Sequence, residues 1–420
     1  MDKKNLFAFA MVTSLFFFWG FIHNLDPILI PHLRNVFSLS HLEASLVDSA
    51  VYIAYFVMAI PAGLIMKKHG YKRGILVGLL LFAVGCFLFV PAANTLSYVF
   101  FLGALFVVAC GLTVLETAAN PYVTILGDPK TGTQRLNFAQ SFNGLAAFLA
   151  PIVGGKTILS QTPKEPQEIA ALSEQARHTY ALSEASTVKL PYVLLGLLIL
   201  VVAVIFYFIR LPDVTDADEK ESGGFFHVLR RRKVMAAVVA QFFYVGAQVC
   251  ILSFLVLFAT DVTGIPAEKA AMYSGFAGLA FLLGRFIGTF LMRFVKAPIL
   301  MAVFALAAAL LTVFVIVGNG MGTLYALIGI AFCMSIMYPT IFALGIQGLG
   351  GDTKAASSLI VMSIVGGAVL PPLLGQISDV TGHLQYGYFV SLVSFIVVLL
   401  FALYNRNAHL DETEQLKGGH

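Results

Sequence analysis

The chain carries about a dozen long apolar runs divided by short polar breaks, and no soluble fold can bury them all. A helix needs roughly 20 mostly apolar residues to cross a bilayer. Runs of that size cover 6–31, 44–66, 74–93, 97–125, 135–156, 190–211, 234–260, 267–292, 297–317, 321–347, 355–377 and 385–405. Segments such as "MKKHGYKRG", "PAANTLS", "GDPKTGTQR" and "VGNGMG" separate them. With 59% of 420 residues hydrophobic and 11% charged, the bilayer must be the solvent. Strand-like alternation is lacking, which argues against a membrane β-barrel. The expected fold class is an all-α membrane protein with twelve transmembrane helices.

The first residues, "MDKKNLFAFAMVTSLFFFWGF", have the basic start and apolar core of a signal peptide. No small-residue cleavage site follows and the apolar run continues, so this stretch is expected to stay as the first helix. Cationic residues fix the orientation, because inner loops carry the excess of lysine and arginine. With the N-terminus inside, 19 of the 26 fall on the cytoplasmic side, and Arg285 lies within a span. Both termini are therefore expected in the cytoplasm. The net charge of +4 is explained by these inner loops and requires no nucleic acid. Cys86, Cys110, Cys250 and Cys333 all lie in apolar spans, with neither metal-site nor disulfide spacing, and read as packing residues.

Two segments break the rhythm: a polar outer loop at 157–189 and a charged linker at 212–233, "PDVTDADEKESGGFFHVLRRRK". The linker divides the chain into an N-terminal six-helix bundle at 1–211, a C-terminal six-helix bundle at 234–407 and a tail at 408–420. The halves echo each other: "NPYVTILGDPKTG" in span four parallels "YPTIFALGIQGLGGDTK" in span ten. Repeated bundles of this kind suggest a transporter with its site between the halves.

Polar residues inside the spans are the candidate site. Glu116 lies in "LETAANPYVTILG", where an ionised, unpaired carboxylate would cost roughly 2.5–3.5 kcal/mol. Burial raises such a group's proton affinity, which suits it to carry a proton. Asn120 and Thr124 follow at helical spacing on the same face, and Pro121 leaves the carbonyl of Thr117 without its helix donor. In span one, Trp19, His23 and Asp26 share a face, and Pro27 is expected to kink the helix. Gln140 and Asn143 share a face of span five, and their amides offer donors and acceptors to a polyhydroxylated ligand. Span seven sets Gln241, Tyr244 and Gln248 in a stripe, and span ten adds Tyr338. Each has a plainer reading: core packing for Trp19, interhelical glue for the amides, a packing pair for Glu116. Arg285 is expected to snorkel toward the cytoplasmic end of span eight. "GGKT" at 154–157 lacks the earlier glycine of a phosphate-binding loop, Ala150 standing there.

The blocks "LETAANPYVTILG", "RLNFAQSFN", "FYVGAQ", "GRFIGTFLM" and "MYPTIFALGIQGLG" resemble the fucose permease branch of the major facilitator superfamily, which includes glucose/galactose symporters. "PAGLIMKKHGYKRG" resembles a variant of that superfamily's basic loop, with Lys67 where many members have an acid. The resemblance implies the major facilitator fold, with twelve helices in two six-helix bundles. It also implies cation-driven sugar uptake in a plasma membrane (the bacterial inner membrane), by a monomer surrounded by membrane lipid and without a cofactor. It further implies a coupling role for Glu116 and sugar contacts from Gln140, Asn143, Asn24 and Trp19. Relatives read "LND" where this chain reads "LDP", so Pro27 takes the family's acidic position. Asp26 is then the acid expected to join Glu116 in coupling. Sodium coupling is the alternative, with a site from Asp26, Thr117 and Asn120. A membrane enzyme would need a nucleophile or metal constellation that the sequence lacks. A non-translocating sugar sensor is the remaining reading.

Overall fold

The computed structural model describes residues 3–25, 29, 32–33, 36–37, 41–158, 172–209, 211–212 and 225–407. All regular structure among them is helical. The first set comprises α1 (Lys3–His23), α2 (His41–Asn94), α3 (Tyr98–Ile125), α4 (Gly132–Thr157), α5 (Glu174–Ser186) and α6 (Lys189–Phe208). After the linker come α7 (Phe225–Leu229), α8 (Arg232–Ser253), α9 (Leu255–Thr263), α10 (Ala267–Leu291), α11 (Ala297–Val317), α12 (Met321–Met334) and α13 (Met337–Ile346). The chain closes with α14 (Thr353–Met362), α15 (Gly366–Thr381), α16 (Leu384–Gly387) and α17 (Phe389–Tyr404).

Ten helical stretches among the described residues are long and apolar enough to span a bilayer. One of them, Ser49–Asn94, carries two expected spans. Gly70 divides it at φ 78°, ψ 171°, backbone that an L side chain rarely adopts. Its Cβ position is open, so conformation rather than crowding calls for glycine. The expected span five is α4, which carries no charged side chain from Leu136 to Gly155. With the two spans of Ser49–Asn94 counted separately and α4 added, the twelve-span reading stands.

By compactness the chain forms two units. One holds 15–119 and 145–211. There α2 packs on α6, with the Phe89 and Tyr192 rings stacked 3.7 Å apart. Glycines bring α2 against α3: a Cβ at Gly85 would strike the Val108 backbone, and one at Gly111 the Phe82 backbone. The other unit holds 1–14, 120–144 and 212–420. In it α8 packs on α15 and α17 around Cys250, Leu370, Leu374 and Val390. Gly366 lets the start of α15 approach the Phe242 carbonyl of α8. Cys86, Cys110, Cys250 and Cys333 are buried and free, as their apolar surroundings suggested.

Candidate functional site

In the unit formed by 1–14, 120–144 and 212–420, polar groups cluster along one face of α4. Arg135 closes the turn between α3 and α4, donating to the carbonyls of Val123 at 3.2 Å, Asp128 at 2.7 Å and Thr124 at 2.6 Å. That clamp fixes the start of α4 against the end of α3. One consequence is the pairing of two expected site residues: the Gln140 amide donates to Asn120 Oδ1 at 3.2 Å, both buried. Further contacts run from the same face of α4 to α10 and α13. Gln134 Nε2 donates to the Thr289 carbonyl at 3.4 Å, and Asn137 Nδ2 to Thr340 Oγ1 at 3.2 Å. The spacing of 134, 137 and 140 is that of one helical face.

Arg285 supplies the third tie and corrects the expectation that it reaches toward the cytoplasm. It is 4% exposed. Its Nε donates to the Ser335 carbonyl and one terminal amino group to the Gln140 carbonyl, both at 2.8 Å. The Phe281 ring lies 4.6 Å from the guanidinium carbon, a cation–π arrangement. The surrounding sequence explains this placement. Gly284 and Gly288 are four apart on α10, and Cβ atoms there would collide with the Phe332 carbonyl and the Ile336 side chain. Small residues at that spacing let membrane helices approach closely. Span ten is broken at the contact: α12 ends at Met334 and α13 starts at Met337. Pro339, four residues on, has no N–H to offer the Ser335 carbonyl, which Arg285 takes.

The expected stripe of span seven lies in the same unit and is unequally buried along its length. The Tyr244 hydroxyl donates to the Met334 carbonyl at 2.9 Å, next to the same break, and its ring lies 6.3 Å from that of Tyr338. Gln241 is fully buried, and neither end of its amide has a protein partner. Asn120 Nδ2 and Asn137 Oδ1 are likewise buried without one. Buried polar atoms are nearly always hydrogen-bonded, so three orphaned amide groups in one unit mark a region suited to a polar ligand. Asn143 and Gln248 are half-buried.

The second unit holds Trp19, Asn24, Glu116 and Thr117. Glu116 is 6% exposed inside α3, which continues unbroken across Pro121, and it takes part in at least one polar interaction. The α3 threonines turn their hydroxyls onto their own helix: Thr113 onto Ala109, Thr117 onto Thr113 and Thr124 onto Asn120. Trp19 is 3% exposed and packs on Phe16 at 4.2 Å. Asn24 Nδ2 donates to the Gly20 carbonyl at 2.6 Å, capping the end of α1. Asp26 and Pro27, and with them the expected kink and the acidic part of the candidate sodium site, lie outside the described residues. Among the described residues, no group of three His, Cys, Asp or Glu is arranged to hold a metal.

Asn137, Thr340 and Arg285 were not among the expected site residues. Asn137 could have been found, since it precedes Gln140 by three in "RLNFAQSFN". For Arg285 the signal was the glycine pair beside it in "GRFIGTFLM", which announces a close helix neighbour.

The sequence profile of the Major Facilitator Superfamily matches residues 7–354. Over 96% of its length the chain is 40% identical to the L-fucose-proton symporter of Escherichia coli (strain K12), covering 93% of that protein. It is 38% identical to the glucose/galactose transporter of Brucella abortus, with 96% of this chain and 95% of that one aligned. Among solved structures, that of the Major Facilitator Superfamily transporter FucP in the outward conformation superposes with a TM-score of 0.88. It is 39% identical, with 96% of this chain and 99% of that one covered. Fold, polar spans and near full-length likeness agree: the chain belongs to the Major Facilitator Superfamily.

Proposed function

We propose that this multi-pass membrane protein is a hexose:proton symporter working by alternating access, with fucose, glucose and galactose as the candidate sugars. The observation that carries the reading is Glu116, a carboxylate 6% exposed inside a 28-residue apolar helix. An acid so placed is a functional group by default. The names of the relatives supply the substrate class, and where they name a coupling ion it is the proton. They lend no support to the sodium alternative.

Gln140, Asn120, Asn143, Gln241, Tyr244, Gln248 and Tyr338 are assigned to the sugar, with Trp19 and Asn24 from span one. The partly unsatisfied amides support this, because a sugar hydroxyl can both donate to and accept from an amide. Glu116 and Asp26 are assigned to the proton. Protonation removes the charge that would oppose movement of the loaded carrier, so sugar and proton cross together. The two six-helix halves, 1–211 and 234–407, are the moving parts, joined by the linker at 212–233. The protein acts as a monomer in the bacterial inner membrane with both termini in the cytoplasm, as the loop cations favour.

Glu116→Gln tests the assignment in proteoliposomes. Uphill sugar accumulation driven by a proton gradient should be lost while sugar exchange at equal concentrations persists. Accumulation at the native level would remove Glu116 from the coupling step.

A further inference from the structure

The inner ends of α4, α10 and α11 enclose a cleft of ≈ 520 Å³ that none of the transport residues uses. It is lined by Lys130, Gln134, Arg293, Phe294, Lys296 and Gln347, among others, and by no acidic side chain. The three cations are exposed. Arg135, the nearby fourth cation, is consumed by the carbonyls of the α3–α4 turn. Asp128, the nearest acid in sequence, caps the backbone N–H of Lys130 at 2.9 Å and does not line the cleft.

Beside the cations lies an apolar skirt. Phe294 is 74% exposed and Phe290 54% exposed, and the Arg293 guanidinium carbon sits 5.7 Å from the Phe290 ring centre. The sequence "RFVK" thus alternates its roles, with cations at 293 and 296 and apolar side chains between them. The depth is that of a headgroup, because α10 ends at Leu291 and α11 begins at Ala297. Charge of one sign over exposed aromatic surface at the end of a spanning helix matches a lipid with an anionic head and acyl tails. The volume lies within the roughly 300–1,000 Å³ of small-molecule sites.

We propose that this cleft binds an anionic phospholipid of the cytoplasmic leaflet, its phosphodiester held by Lys130, Arg293 and Lys296 and its acyl chains laid on Phe290 and Phe294. The inference rests on the orientation proposed above, which puts these loops inside. Occupancy would brace the contact between α4 and α10, since Gln134 both lines the cleft and donates to the Thr289 carbonyl.

The test uses the purified full chain in detergent, titrated separately with phosphatidylglycerol, phosphatidylcholine of the same chains, glycerol phosphate and inorganic phosphate. Bound lipid is counted by native mass spectrometry and the unfolding temperature is followed in parallel. Phosphatidylglycerol should bind and raise that temperature; phosphatidylcholine should do neither at equal concentration. Each cation lost should weaken binding about fivefold, and Lys130→Gln, Arg293→Gln and Lys296→Gln together about a hundredfold. The single variants should keep native sugar binding, which shows that they fold. Equal binding of phosphatidylcholine, or native lipid affinity in the triple variant, would overturn the proposal. So would an equal stabilisation by inorganic phosphate or glycerol phosphate, which would mark a soluble-anion site. None of these readouts involves transport, so the lipid site and the symport mechanism can fail independently.

Discussion

Arg285→Lys isolates what the buried guanidinium does. The substitution keeps the positive charge in span eight and removes the planar fork. In the native chain that fork reaches two carbonyls on two other helices, Ser335 and Gln140, each at 2.8 Å. An ammonium is a compact point charge on a flexible stem and is expected to reach one of them. A hydrogen bond from a charged group contributes about 1.5–3 kcal/mol. Losing one therefore weakens the tie between spans five and ten by roughly 10- to 150-fold, since about 1.4 kcal/mol is a factor of ten. Under the alternating access and orientation proposed above, that tie opens when the inner side is exposed. Ser141→Cys reports the opening: Ser141 is fully buried beside Gln140, and its hydroxyl donates to the Asn137 carbonyl of its own helix at 3.1 Å. A membrane-impermeant thiol reagent on the inner face should label this cysteine about 10- to 150-fold faster in the Arg285→Lys background. Unchanged labelling in a variant with a native unfolding temperature would show that Arg285 does not restrain the opening.

Two other substitutions probe the same neighbourhood by thermal unfolding in detergent. Gly284→Ala puts a methyl group against the Phe332 carbonyl, a backbone atom that cannot swing aside, and should lower stability by about 1–3 kcal/mol. A native unfolding temperature there would mean that α10 and α12 separate without cost. Tyr244→Phe removes the donor to Met334 while keeping the ring beside Tyr338, and should lose about 1 kcal/mol. A stabilised variant would contradict the view that this hydroxyl holds the broken segment of span ten.

Local composition was enough to identify the spans. Apolar runs of bilayer length are a property of consecutive residues, and their count survived even where α2 fused two spans. Glu116 was legible for the same reason: an acid inside an apolar run needs no neighbour to be conspicuous. The pairing of Gln140 with Asn120 was half legible, because both amides were read as site residues while their contact depends on the turn that Arg135 closes.

What only the tertiary structure decided is where each polar group finds its partner. Arg285 lies six residues before the end of α10, or roughly 9 Å of helix, and its long side chain can extend part of that way, so snorkelling was the natural local reading. The approach of α10 to the break in span ten, permitted by Gly284 and Gly288, turned it inward instead. Pro339 was the local signal of that break, since it leaves the Ser335 carbonyl without a helix donor, but it did not say which side chain would take that carbonyl. Thr124, expected on the Glu116 face as a polar contributor, instead satisfies the Asn120 carbonyl of its own helix. The physical reason is common to all three. In an apolar medium a polar group must bond to whatever is nearest, and distance along the chain does not say which helix that will be.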